Sequence, residues 1–226
     1  MTKHSRPGEE TRQRIIDAAG PIFAARGFRK ATVREICAAA GVNIASVGYY
    51  FGDKLHLYLH VVRGIRAKCE QAFPMPPLTG TADQQLKLVI ETILQRLLTK
   101  ESVGWEDQLM MREMHEPTEA FRELVEEYFR PQFDCLLIIV QSLVGHKLPA
   151  HQFEQLVLSI VGQCVYYRVG NKVVRQLIPE DRYQQHFDTA SLAAHITSFS
   201  LAALTGMGYR DAISQACSPT QGVNTV

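Results

Sequence analysis

A chain of 226 residues, 46% hydrophobic and 21% charged, is long enough for one or two globular domains and too apolar to be disordered. Its net charge of +1 conceals a segregation: residues 1–68 hold twelve Lys and Arg against five Asp and Glu, a net +7, while the remainder holds 12 against 18, a net −6. That division argues against a protein coated with positive charge throughout, and it confines any polyanion-binding surface to one end.

No apolar run follows Met1, only MTKHSRPGEETRQR, so a secretory leader is not expected and the cytoplasm is the expected compartment. Residues 1–8 read as a disordered basic arm. A first helix is predicted over 9–26, with Ile15, Ile16, Ala19, Ile22 and Phe23 inward and Arg26-Gly27 closing it. Gly20-Pro21 falls inside this pattern and predicts a kink, because the apolar spacing resumes in register beyond it. Thr32 followed by Glu35 is a capping box that opens a second helix, with Val33, Ile36, Cys37 and Ala40 on one stripe and Gly41 at its end. Asn43 is a good N-cap for a third helix over 44–50, where Val47, Tyr50 and Phe51 recur at helical spacing. Two short helices around a glycine turn form a helix-turn-helix pattern, and the second is the candidate for the DNA major groove. It lies inside the basic segment, as binding to a phosphate backbone requires.

The residues Thr32, Ile36, Ala40-Gly41-Val42, Tyr49-Tyr50-Phe51 and Lys54, preceded by Arg26-Gly27-Phe28, resemble the DNA-binding domain of TetR-type bacterial transcriptional regulators. A second resemblance, to the C-terminal domain of the CecR-like subgroup, lies in Arg112-Glu113-Met114-x-Glu116-Pro117-Thr118 and Phe129-Arg130-Pro131. Together they imply a three-helix DNA-binding domain followed by an all-helical domain that binds a small molecule and forms a homodimer. The implied activity is repression, relieved when the ligand releases the protein from a palindromic operator; a transcriptional activator or a non-specific architectural DNA binder are the alternatives. Candidate DNA contacts are Thr32, Val33, Asn43, Ile44, Ala45, Ser46, Gly48, Tyr49, Tyr50 and Lys54. Two residues depart from the family pattern: Ala45 stands where Gly is common and Gly48 where Tyr is common, so base readout shifts to neighbours.

Lys54 opens a helix over 54–73, with Leu55, Leu59, Val62, Ile65 and Cys69 inward. A cation in a first turn opposes the helix dipole, which predicts an external phosphate as its partner. His56 and His60 are spaced for a metal, but no third ligand is evident and no metal or cofactor is expected. PMPPLTG over 74–80 is the clearest boundary, and the domains are read as 1–68 and 69–226. Helices follow over 81–98, 105–115 and 117–144, the last bent at Pro131; with no alternating β-branched runs, the fold class is all-α. The five cysteines are odd in number and embedded in helical stretches, as buried small hydrophobes would be.

The helix over 152–169 has two apolar faces, one bearing Phe153, Leu156, Val157, Ile160, Val161, Cys164 and Val165, the other Leu158, Val169 and the Tyr166-Tyr167 pair. Two faces imply burial on both sides, against its own domain and against a second subunit. The uncharged stretch from Thr189 to Tyr209 is too polar to span a membrane and fits a four-helix dimer interface. Dimer contacts are assigned to Phe153, Leu156, Val157, Ile160, Val161, Cys164, Leu192, Ile196, Phe199 and Ala203. Trp105, Met110, Met111, Met114, Phe121, Tyr166 and Tyr167, with Arg112 and His115, are the candidate ligand-binding residues. No nucleophile elbow, zinc-protease, P-loop or dinucleotide motif occurs, so an enzyme is not expected.

Overall fold

The computed structural model describes residues 7–98, 104–145 and 148–216, and all regular structure among them is helical, as the periodicity predicts. The helices are α1 (Pro7–Lys30), α2 (Val33–Ala40), α3 (Ala45–Phe51), α4 (Lys54–Ala72), α5 (Ala82–Leu98), α6 (Trp105–His115), α7 (Ala120–Leu124), α8 (Arg130–Val144), α9 (Ala150–Val169), α10 (Asn171–Leu177), α11 (Glu180–His186) and α12 (Thr189–Ala216), with a π-helical turn, Val125–Phe129, between α7 and α8. Most of the expected N-terminal arm and the expected tail after Cys217 lie outside the described residues.

Two compact units emerge, and the chain passes between them after Pro74, after Leu98 and after Pro131. The first unit therefore holds α1–α4 together with α6, α7 and the π turn; the second holds α5 and α8–α12. The segment over 104–131, acidic and read from sequence with the C-terminal part, is built into the N-terminal unit.

In the first unit, Ile15, Ala19 and Phe23 of α1 meet Ile36 and Cys37 of α2, Val47 and Phe51 of α3, and Leu57, Tyr58 and Val61 of α4 in one buried cluster. The interruption of α1 falls at Gly27 (φ 74°, ψ 164°) rather than at Pro21, where the backbone angles stay helical. Gly20 beside the proline answers to a distant residue instead: a Cβ there would lie 2.3 Å from the indole of Trp105 on α6. The helix gives up a side chain so that the indole can lie against its backbone. On α4 the buried residues are Leu57, Tyr58, Val61 and Val62, a face rotated from the expected one.

The second unit is built on an apolar cluster drawn from α5 (Leu86, Val89, Ile90), α8 (Leu136, Ile139, Val140), α9 (Val157, Ile160, Cys164) and α12 (Leu192, Ala193, Ile196). Where Pro131 predicts a bend, the chain forms a π turn just before it, in which Arg130 N–H bonds Val125 O. A proline ring clashes with the carbonyl four residues back in a regular helix, and widening the preceding turn relieves this. Helices α10 and α11 were not expected from periodicity; Pro179 followed by Glu180 and Asp181 in the first turn is the start signal for α11. Among the described residues no helix is long and apolar enough to cross a membrane.

Candidate nucleic-acid interface

The site is assembled from α2, the turn after it and α3. Thr32 Oγ1 accepts the Glu35 N–H at 3.2 Å and Glu35 Oε2 accepts the Thr32 N–H at 3.1 Å, so the start of α2 is fixed reciprocally. The Thr32 hydroxyl bond, more than any charge, holds the Glu35 carboxyl below its ordinary range. At the other end Gly41 is left-handed (φ 64°, ψ 40°). Gly41 N–H bonds Ala38 O at 3.3 Å and Val42 N–H bonds Cys37 O at 3.0 Å, a closure that glycine allows without Cβ strain. Arg14 of α1 then donates to the carbonyls of Ala40 and Gly41 at 2.5 and 2.9 Å. The turn is thereby tied to α1 and cannot swing alone.

The N-cap position of α3 falls to Ile44 rather than to the expected Asn43; Asn43 Oδ1 instead accepts the Ala45 N–H at 2.9 Å within the turn. Val47 and Phe51 point into the core, which sends Ile44, Ala45, Gly48 and Tyr49 outward; Tyr49 is 83% and Ile44 57% exposed. Tyr50 stands edge-on to Tyr49, ring centres 4.9 Å apart, with its hydroxyl near Gly8 at the start of α1. Thr32 is exposed, Val33 and Ser46 half-buried. Around Gly48 the space is open, with no atom within 4 Å of an added Cβ.

The expected role of Lys54 changes. Its ammonium donates to Phe28 O at 2.9 Å and Ala31 O at 3.1 Å and lies 4.6 Å over the Phe28 ring centre. The cation that opposes the dipole of α4 is offset by carbonyls at and just after the C-terminal end of α1. Other cations of the basic segment are likewise engaged: Arg26 with Glu35 at 2.7 Å, Arg63 with Glu123 at 2.6 Å, Arg66 with Glu127. Arg29, Lys30 and Arg34 are exposed and make no ion pair among the described residues. These three bracket the start of α2, so the net positive charge of the segment acts locally, beside the helix-turn-helix.

Asp53 caps α4, its Oδ1 accepting the His56 N–H at 2.8 Å and lying 2.9 Å from His56 Nδ1. His60 Nδ1 is 3.3 Å from Arg12. Among the described residues no three His, Cys, Asp or Glu side chains gather as a metal site. Cys37 and Cys164 are buried, and burial pushes the Cys164 thiol up to about 12.

Behind the interface, α6 is locked to α4 and α1. The carboxyl group of Glu113, wholly buried, accepts the Tyr58 hydroxyl at 2.5 Å and both the N–H and the hydroxyl of Thr118 at 2.8 Å. Burial first, then Glu113, pushes the Tyr58 phenol far above its ordinary value, so it is held as a donor. Arg112 donates to Ala24 O and Ala25 O at 3.3 and 3.4 Å and pairs with Glu116. The Arg-Glu-Met-x-Glu-Pro-Thr motif is therefore a clamp on the DNA-facing unit, a role that its sequence position among acidic residues conceals.

The aromatic and sulfur-bearing set expected to line one cavity is divided between the units. Trp105, Met110, Met111, Arg112, Met114, His115 and Phe121 belong to the first, where Trp105 and Met110 pack on the core; Tyr166 and Tyr167 belong to the second. Most of the expected dimer contacts are likewise relocated. Phe153, Val157, Ile160, Cys164, Leu192 and Ile196 are buried in the second unit's own core, and Leu156 and Val161 pack against it. Helical spacing identifies a buried face but not what covers it. Exposed instead are Leu158, Val165, Tyr166 and Val169 on α9, and Phe199 and Ala203 on α12.

Residues 15–61 match the family described as bacterial regulatory proteins, tetR family, and residues 82–204 match the C-terminal domain of the HTH-type transcriptional dual regulator CecR. The CecR protein of Shigella flexneri is 27% identical over 178 residues, 74% of this chain and 79% of that one. A probable HTH-type transcriptional regulator, YttP of Bacillus subtilis, is 28% identical over 158 residues, 66% and 70% of the two chains. In structure, a TetR-like transcriptional regulator from Rhodococcus sp. RHA1 superposes with a TM-score of 0.58 at 20% identity, covering 87% of this chain and 96% of that one. The hemolysin II transcriptional regulator HlyIIR gives 0.54 at 18% identity, over 84% and 97%. The capped helix-turn-helix and the clamp motif thus stand in a chain that belongs to the TetR family of transcriptional regulators, with a C-terminal domain of the CecR type.

Proposed function

We propose that the protein acts as a homodimer on a two-fold-symmetric operator and represses transcription from promoters that overlap it. In this reading α3 of each subunit enters a major groove, Arg29, Lys30 and Arg34 hold the flanking phosphates, and the site of action is the cytoplasm. The observation that carries it is the exposed face of α3, held by the bonds of the turn before it and flanked by three cations that make no ion pair among the described residues. Dimerisation is supported by the exposed apolar side chains of α9 and α12 in the second unit, which a two-fold-related copy would cover. The effector is a hydrophobic or amphipathic small molecule taken by the second unit, where Tyr167, Tyr183 and Phe187 form an aromatic group. The clamp segment couples the two events: it is bonded to α1 and α4, and it continues at its ends into the chain of α5 and α8. A ligand can release DNA only by favouring a state in which the recognition helices no longer match half-sites about 34 to 36 Å apart.

Regulation in both directions is a second reading, favoured by the name of the Shigella relative, a dual regulator. A reporter fused to the cognate promoter separates them: deleting the gene raises transcription under repression and lowers it under activation. Compounds that raise the thermal midpoint of the free protein are then titrated with and without operator. Linkage requires DNA to weaken the inducer by the factor by which the inducer weakens DNA, so equal affinities in both states would rule out that compound as an inducer.

A further inference from the structure

We infer that α3 reads its half-site through thymine methyl groups, with Ile44 and Ala45 as the specificity-determining residues, and that guanine is not specified beneath this helix. The inference rests on the operator-binding reading above and names the base chemistry that reading requires. From Asn43 to Gly52 there is no charged side chain. Guanine is gripped in the major groove by Arg or Lys on O6 and N7, and cytosine by a carboxylate on N4, so neither is available to this helix.

Adenine is gripped by an amide that offers a donor and an acceptor together. Asn43, the one amide here, already uses Oδ1 to accept the Ala45 N–H at 2.9 Å. Ser46 and Tyr49 offer single hydroxyls, which suit more than one base. What α3 does present at its N-terminal end, where helix-turn-helix proteins meet base edges, is apolar: Ile44 is 57% exposed and Ala45 follows it. The apolar feature of the major groove is the C5 methyl of thymine.

Gly48 completes the surface. It lies one helical turn after Ile44 and Ala45, on their side of α3, with no atom within 4 Å of an added Cβ. A shallow apolar patch results, with no side chain at its centre to hold the helix off the groove floor. The phosphate-holding charge lies outside it, on Arg29, Lys30 and Arg34. Affinity and sequence choice are thus carried by different residues.

The test starts with full-length protein selecting sites from a pool of random duplexes. Each thymine of the enriched half-site is then replaced singly by deoxyuridine, which deletes only the methyl. Two or more adjacent substitutions should each weaken binding about fourfold, the value of one buried methyl group. In Ile44→Ala the thymine-to-uracil ratio should fall to one at one of those positions; unchanged helix content and an unchanged thermal midpoint establish that this surface variant is folded. Uracil substitutions without effect, or a required guanine whose preference is altered by Ile44→Ala, overturn the inference while leaving operator binding intact. A pool in which nothing is enriched overturns the operator-binding reading itself, and this inference with it.

Discussion

In the first unit, helix ends are closed by side chains from other helices. Arg14 covers the last carbonyls of α2, Lys54 and Arg112 those near the end of α1, and Glu113 joins α6 to Tyr58 on α4. In the second unit, α5, α8, α9 and α12 meet through Val89, Ile90, Ile139, Val157 and Ile196, while Thr92 and Thr197 turn their hydroxyls back onto their own helices. Hydrogen bonds are directional and weaken steeply when bent; apolar burial is not directional. A unit that must present a seven-residue helix at one fixed angle is therefore braced by polar bonds. The second unit is joined instead by apolar surfaces whose attraction survives small slides.

The strongest loss is expected from α9. Ile160→Glu sets a carboxylate in the apolar cluster at a cost of several kcal/mol and should abolish cooperative unfolding of the second unit, leaving aggregate. Leu158→Glu, on a residue 59% exposed, should keep the helix content and give monomer in light scattering. A folded dimer with unchanged stability in the first variant would contradict the core assignment, and an undisturbed dimer in the second would contradict the exposed-face interface.

Next comes the clamp. Glu113→Ala strands the Tyr58 hydroxyl and both donors of Thr118, which should cost about 3 kcal/mol in denaturant titration, whereas Glu113→Gln keeps an acceptor and should cost about 1 kcal/mol. Equal, small losses would mean the first unit does not depend on polar bracing. The smallest effect is pH-dependent. Burial, then the nearby Arg12, lowers the His60 pKa below its ordinary 6.5. The unfolded chain therefore binds this proton more readily, so the contribution is fully present above pH 6.5 and is lost as pH falls from there through the lower folded-state value. His60→Gln should flatten that part of the stability profile; an unchanged profile would show that His60 does not contribute to it.

The helix-turn-helix is legible in sequence because its signals are local: Thr32 with Glu35, Gly41, and Asn43 each act within a few residues. What sequence does not disclose depends on distant partners. The cost of Pro21 is visible, but the Trp105 ring that occupies the space over Gly20 is not. Lys54 shows its conflict with the dipole of α4 without showing that Phe28 and Ala31 resolve it. The stripe on α9 is correctly apolar, yet spacing alone assigns it to a partner as readily as to its own core. Arg112 and Glu113 fall among acidic residues after the proline boundary, and only their bonds to Ala24 and Tyr58 place them with the N-terminal unit.

Phosphate contact is expected only from the cations that make no ion pair among the described residues, Arg29, Lys30 and Arg34. The direct test is the slope of log affinity against log salt for the operator complex of the dimer. Arg34→Ala should reduce that slope by about 2, one contact from each subunit, while Lys54→Ala lowers thermal stability and leaves the slope unchanged. A reduced slope in Lys54→Ala with none in Arg34→Ala would contradict it.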